Sequence, residues 1–77
     1  SISWARIIPD GTGEVNQAGI DFYNRLIDAC LRHHLVPNVT LFHYDLPNTI
    51  AEKGGWENRD TVDAFARYCK ICFYFYS

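Results

Sequence analysis

His43, Tyr44 and Asp45 follow one another in the stretch TLFHYDLP, placing an imidazole, a phenol and a carboxylate within three residues. Groups of this kind orient a polar ligand through hydrogen bonds, with the aromatic ring as a wall. If the residues before them run extended, side chains alternate with period two, and Val39, Leu41 and His43 share one face. The imidazole then stands at the C-terminal end of a strand. Tyr44 has two open readings, ligand wall or packing residue, and in either its hydroxyl needs a partner once buried. Asp45 is expected to cap the short helix that Pro47 begins, where a carboxylate meets unpaired N–H groups.

Other reactive side chains give weaker patterns. Cys69 and Cys72 spell C-x-x-C, a spacing used by zinc and redox sites, but no second pair or suitably spaced histidines accompany it. Redox cysteines favour helix N-termini, whereas these fall near the end of a helical pattern. Buried small hydrophobes are the expected role, with no metal and no cofactor. His33 and His34 close a helix, where donor side chains suit the dipole, and their adjacency keeps them off a common face. The three glutamates, Glu14, Glu52 and Glu57, sit in loop or short-helix contexts and read as solvated carboxylates.

The elements that must position these groups follow in order. SISWARII alternates small polar with large apolar residues, which predicts a strand. Trp4 should then face a helix layer, and Arg6 should anchor the loop. Pro9, Gly11 and Gly13 impose that loop, and Asn16 can cap a helix through its side chain. Tyr23, Leu26, Ile27, Cys30 and Leu31 line one face of that helix. Asp21 with Arg25 and Asp28 with Arg32 form i,i+4 pairs on the other. Pro37 stops it, and VTLF predicts a second strand.

PNTIAEKGG then reads as a short helix closed by Gly54 or Gly55, and Trp56 as a loop anchor. Asn58 caps a last helix whose apolar stripe is Val62, Phe65, Ala66, Cys69, Cys72, Phe73 and Tyr76. The order is βαβα, a single unit over residues 1–77 with a right-handed crossover. Two parallel strands with helices on one side leave open edges and a bare sheet face. A barrel of repeated βα units closes such a sheet and gathers its active site at the strand C-termini, where His43 lies.

The chain has 77 residues, is 48% hydrophobic and carries a net charge of −2. A core of marginal size follows, and the absence of a lysine or arginine cluster argues against nucleic acid or an anionic membrane as partner. No apolar run reaches the roughly 18 residues that a span requires. The chain opens on SISW, without methionine and inside a strand pattern, so a longer protein is expected. An odd number of cysteines suits a reducing compartment, and the expected location is cytoplasmic.

SISWARIIPDGTGEVNQAGIDFYNRLIDAC, VPNVTLFHYDLP and EKGGWENRDTVDAFARYCKICF together resemble glycoside hydrolase family 1, the β-glucosidases and 6-phospho-β-glucosidases. The resemblance implies an eight-stranded (β/α)8 barrel to which this chain supplies strand 2 to helix 3. It also implies retaining hydrolysis of β-glycosides by two glutamates about 5 to 5.5 Å apart. The family carries these in Asn-Glu-Pro and Thr/Ser-Glu-Asn-Gly motifs, neither of which occurs here, so no catalytic residue is assigned. By resemblance His43 bonds a sugar hydroxyl and Tyr44, where tryptophan or phenylalanine is usual, walls the sugar. The terminal FYFYS departs from the family pattern, and an exposed aromatic tail favours self-association. The rival reading is a non-catalytic βα module that self-associates through its open edges.

Overall fold

A computed structural model of the chain describes residues 1–43 and 45–76. Four α-helices and one 3₁₀ turn make up its regular structure: α1 Trp4–Ile7, α2 Gln17–Arg32, α3 Asn48–Glu52, the turn Gly55–Glu57, and α4 Arg59–Tyr76. The two strands expected over SISWARII and VTLF are absent among the described residues. Trp4–Ile7 instead winds into one helical turn, and residues 38–43 carry no ladder.

Among the described residues, one backbone hydrogen bond, from Ile2 N–H to the Thr40 carbonyl at 2.8 Å, joins the two segments. Strands are stabilised by ladders and cross-strand side chains, and parallel sheets by cover on both faces. Alternating polarity indicates a preferred exposure for each side chain, but no neighbour completes the ladder here. The backbone groups near Ile2 find phenols instead. Ser3 N–H donates to the Tyr23 hydroxyl at 2.9 Å, and the Ile2 carbonyl faces the Tyr68 hydroxyl at 3.2 Å.

The core gathers around Trp4, Ile7, Ile8, Ile20, Tyr23, Ile50, Tyr68 and Cys72. Trp4 is fully buried against the helices, as its place in the alternation predicts. Its ring stacks on Tyr68 and meets Phe65 edge-on at 5.4 Å, while its indole N–H donates to the Gly11 carbonyl at 3.2 Å. Gly11 holds φ 78° with Ile50 lying where a Cβ would be, so both backbone and space require glycine.

Helix α2 starts differently from its expected cap. The Asn16 side chain donates to the Arg6 carbonyl at 3.1 Å, and only the Asn16 carbonyl accepts the first helical N–H groups. Gly19, one turn in, lets α2 approach that same Arg6 carbonyl. Arg6 itself lays its guanidinium over the Phe22 ring at 5.0 Å rather than holding the loop through carbonyls. Asp21 accepts a bond from Gln17 at 3.0 Å.

The far end of α2 closes before Pro37. His34 adopts φ 60°, Leu35 N–H bonds the Cys30 carbonyl at 2.8 Å, and His34 N–H bonds the Leu31 carbonyl at 3.1 Å. This is the double bonding of a Schellman motif, with histidine in the left-handed position that glycine usually takes. The helix is therefore stopped by its own C-cap.

Asn58 caps α4 as expected, accepting the Asp60 N–H at 2.9 Å. The face that α4 buries is shifted from the predicted stripe. Thr61, Ala64, Tyr68 and Cys72 are buried, whereas Val62, Ala66 and Phe73 are exposed. Two polar-tipped residues make the shift possible: Thr61 donates to the Gly55 carbonyl at 2.6 Å, and Tyr68 to a carbonyl of the central segment. A buried hydroxyl with a partner costs little. The apolar face of α2 also leaves the core as it runs on, with Leu26 and Leu31 exposed.

Candidate functional site

His43 stands at the end of the segment that runs from Pro37, and its surroundings show how that segment is held. Leu41 and Phe42 are both half-buried against the core, and Phe42 meets Trp56 edge-on at 5.4 Å and Phe65 at 6.2 Å. The alternation expected over this segment is not kept: Val39 and Thr40 are both exposed, Leu41 and Phe42 are both half-buried, and His43 is exposed.

Besides the bond from Ile2 N–H to the Thr40 carbonyl, side chains also hold this main chain. The Tyr68 hydroxyl, projecting from α4, donates to the Leu41 carbonyl at 2.7 Å. His43 N–H donates to Asp45 Oδ1 at 3.0 Å. Asp45 therefore does not cap α3, which begins with Pro47 at its N-cap and no side-chain cap bond. The reason is direction: the carboxylate turns back two residues along the chain instead of forward to the helix. Tyr44 lies outside the described residues.

Burial raises the Tyr68 phenol far above its ordinary range, and neighbouring Cys72, Asp45 and Tyr23 push it the same way. It therefore remains a neutral donor. Cys72 is buried beside it and its thiol is pushed up to about 11, again chiefly by burial, with the Cys69 thiol raised for the same reason. Protonated thiols are poor metal ligands and nucleophiles. Among the described residues no group of three or more His, Cys, Asp or Glu could hold a metal ion. No helix among them is long and apolar enough to cross a membrane.

Glu14, Glu52 and Glu57 are all exposed, in the loop before α2, at the end of α3 and in the 3₁₀ turn. Their placement matches the reading of solvated carboxylates. The hydrophobic groove between α2 and residues 37–39, about 190 Å³ and lined by Ile2, Tyr23, Leu26, Ile27, Cys30 and Val39 among others, lacks the convergent polar groups that a sugar requires.

Sequence reasoning singled out His43, which is exposed here, and missed Tyr68 and the backward reach of Asp45. A signal for Tyr68 was present: it lies three residues after Phe65 and four before Cys72, on their side of the helix.

The relatives of this chain, rather than its own geometry, define its class, and they are glycosidases. The sequence profile of glycosyl hydrolase family 1 matches residues 1–77, and the chain belongs to that family. It is similar to the 1,4-beta-D-glucan glucohydrolase of Thermotoga neapolitana, 55% identical over 95% of this chain and 17% of that protein. It is also similar to a 6-phospho-beta-glucosidase of Bacillus subtilis, 51% identical over 95% of this chain and 16% of that protein. The solved beta-glucosidase of Thermotoga maritima in complex with deoxynojirimycin overlays 97% of the chain with a TM-score of 0.93 at 52% identity.

The chain covers only 17% of the Thermotoga maritima enzyme, about one-sixth of its length. It is a piece of a family 1 barrel. The close overlay also explains the missing strands. The backbone follows the family path, but a strand is defined by ladder bonds, and among the described residues one bond links the two segments.

Proposed function

We propose that this chain is the strand 2 to helix 3 portion of a retaining β-glycosidase, acting on β-glucosides or 6-phospho-β-glucosides in the cytoplasm. His43 and Tyr44 contribute to sugar binding in that reading, and the isolated 77 residues have no turnover. The observation that carries it is the exposure of His43 at the end of a segment whose main chain is pinned at Leu41 and at His43 itself. A binding group on a fixed backbone loses little entropy on meeting its ligand. Relatives named as a β-glucosidase and as a 6-phospho-β-glucosidase support the substrate class.

Hydrolysis with retention needs a carboxylic acid to protonate the leaving oxygen and a carboxylate to attack the anomeric carbon. The separate, exposed glutamates of this chain do not form such a pair, and His43 serves as an orienting hydrogen-bond partner rather than an acid. The test is an assay of the purified chain on an aryl β-glucoside, with no hydrolysis above background expected. Turnover that disappears on mutation of Glu14, Glu52 or Glu57 would overturn the proposal.

A second reading concerns the chain on its own. Leu26, Leu31, Leu35, Val36, Phe73 and Tyr74 are all exposed, an apolar surface that favours self-association. Sedimentation separates the outcomes. A defined oligomer with cooperative unfolding supports a βα interaction module, and polydisperse aggregation supports an incomplete barrel.

A further inference from the structure

We propose that Asp45 is a positioning residue for His43, setting the backbone angle from which the imidazole meets the sugar. The inference deepens the reading of His43 as a sugar-binding group and rests on it. Asp45 is half-buried while His43 is exposed, and the two are joined by the 3.0 Å bond from His43 N–H to Asp45 Oδ1. In the usual turn an aspartate side chain bonds backbone two residues further on. Here it reaches two residues back, leaving α3 without a side-chain cap. The carboxylate is thus committed to the main chain of His43.

The other side of the segment is also held. Tyr68 grips the Leu41 carbonyl from α4 at 2.7 Å, and the ring of Phe42 lies edge-on to Trp56 at 5.4 Å. Asp45 is near enough for its negative charge to act on the Tyr68 phenol. With Leu41 and Phe42 fixed, the remaining soft torsions before the imidazole are those at His43, and the bond to Asp45 restrains them. Hydrogen bonds with an ionised acceptor are roughly twice as strong as neutral ones. A shift of about 1 Å in a binding group can cost on the order of 100-fold in rate.

The test uses the 77 residues carried within the full-length Thermotoga maritima β-glucosidase in place of its own matching segment, assayed on an aryl β-glucoside. His43→Ala comes first, and full kcat/KM in that variant would sink the sugar-binding role of His43 and the proposal with it. Given a loss there, Asp45→Ala is expected to lower kcat/KM about 10- to 100-fold, while Asp45→Asn, which keeps the Oδ1 acceptor, stays within about threefold. In the double variant Asp45→Ala should add nothing to His43→Ala, because Asp45 acts only through that residue. Wild-type activity in Asp45→Ala, or its full factor on top of His43→Ala, overturns the inference while leaving the reading of His43 intact. Should Asp45→Ala fail to fold, Asp45→Glu replaces it in the cycle. One extra methylene displaces the acceptor, so a loss of about tenfold supports the inference and full activity overturns it.

Discussion

The ring of Trp4 lies flat on that of Tyr68, their centroids 5.3 Å apart and their planes 4° from parallel. Through that contact the first turn of the chain rests on the middle of its last helix. The Tyr68 hydroxyl continues past the stack to the carbonyls of Leu41, at 2.7 Å, and Ile2, at 3.2 Å. A single side chain therefore joins three segments, which the Ile2–Thr40 backbone bond and the rings of Trp4, Phe42 and Phe65 also link.

Tyr68→Phe keeps the stack and removes the hydroxyl. The Leu41 and Ile2 carbonyls then lose a buried partner, and the expected loss is about 1–3 kcal/mol of stability, read as a lower urea midpoint. An unchanged midpoint would mean that water satisfies these carbonyls as well as the phenol does.

High pH should weaken the fold. Burial raises the Cys72 thiol from 9.0 to about 11 and the Tyr76 phenol from 10.0 to about 12, with Tyr68 and Cys69 moved the same way. Each group holds its proton more tightly when folded, so the stabilisation is complete below the ordinary value and disappears as pH rises through the folded one. Urea midpoints should fall between about pH 9 and pH 12. Tyr76→Phe should flatten the upper part of that fall and Cys72→Ala the lower part; identical profiles in all three proteins would contradict this origin.

Gly19→Ala should destabilise, against the ordinary gain of about 0.8–1 kcal/mol for that change inside a helix. The added methyl would run into the Arg6 carbonyl, whose carbon would lie 2.8 Å away, and main chain cannot rotate aside as a side chain can. A loss of about 1–3 kcal/mol is expected from overpacking of this kind. A raised thermal midpoint would show that α1 and α2 can separate at no cost.

His34→Gly should stabilise. His34 holds φ 60° at the C-cap of α2, a region that costs a residue with a Cβ about 1–2 kcal/mol, while glycine gives back part of that gain in the unfolded chain. A net increase of about 0.5–1 kcal/mol is expected by chemical denaturation. A decrease would assign the histidine ring a contact worth more than its backbone strain.

Helices were easier to read from sequence than their surroundings. The periodicity of Tyr23, Leu26, Ile27, Cys30 and Leu31 located α2, and Asn58 located the start of α4, because helical bonds are local and a helix carries most of its own evidence. Alternation matched exposure over Ser1 to Trp4 but not in VTLF, where Val39 and Thr40 are exposed and Leu41 and Phe42 half-buried, and a ladder depends on neighbours elsewhere in a barrel. The polar tips of Thr61 and Tyr68 hid the true inner face of α4, since hydropathy does not record that both hydroxyls find carbonyls. At the site, period two proposed His43, which is exposed at the end of the 37–43 segment. The backward turn of Asp45 was invisible, because the same residue type before Pro47 fits a forward cap equally well.

Phenolic hydroxyls that reach far along the chain also bear on the order of assembly. Tyr68 meets Ile2 across 66 positions and Leu41 across 27, and Tyr76 donates to the Ile20 carbonyl across 56. Helices of this length relax within about a microsecond, whereas contacts at such separations must first overcome the entropy of closing long loops. The two long helices should therefore form early and dock late. Tyrosine fluorescence in stopped flow would follow the docking step apart from helix growth, which far-ultraviolet dichroism reports.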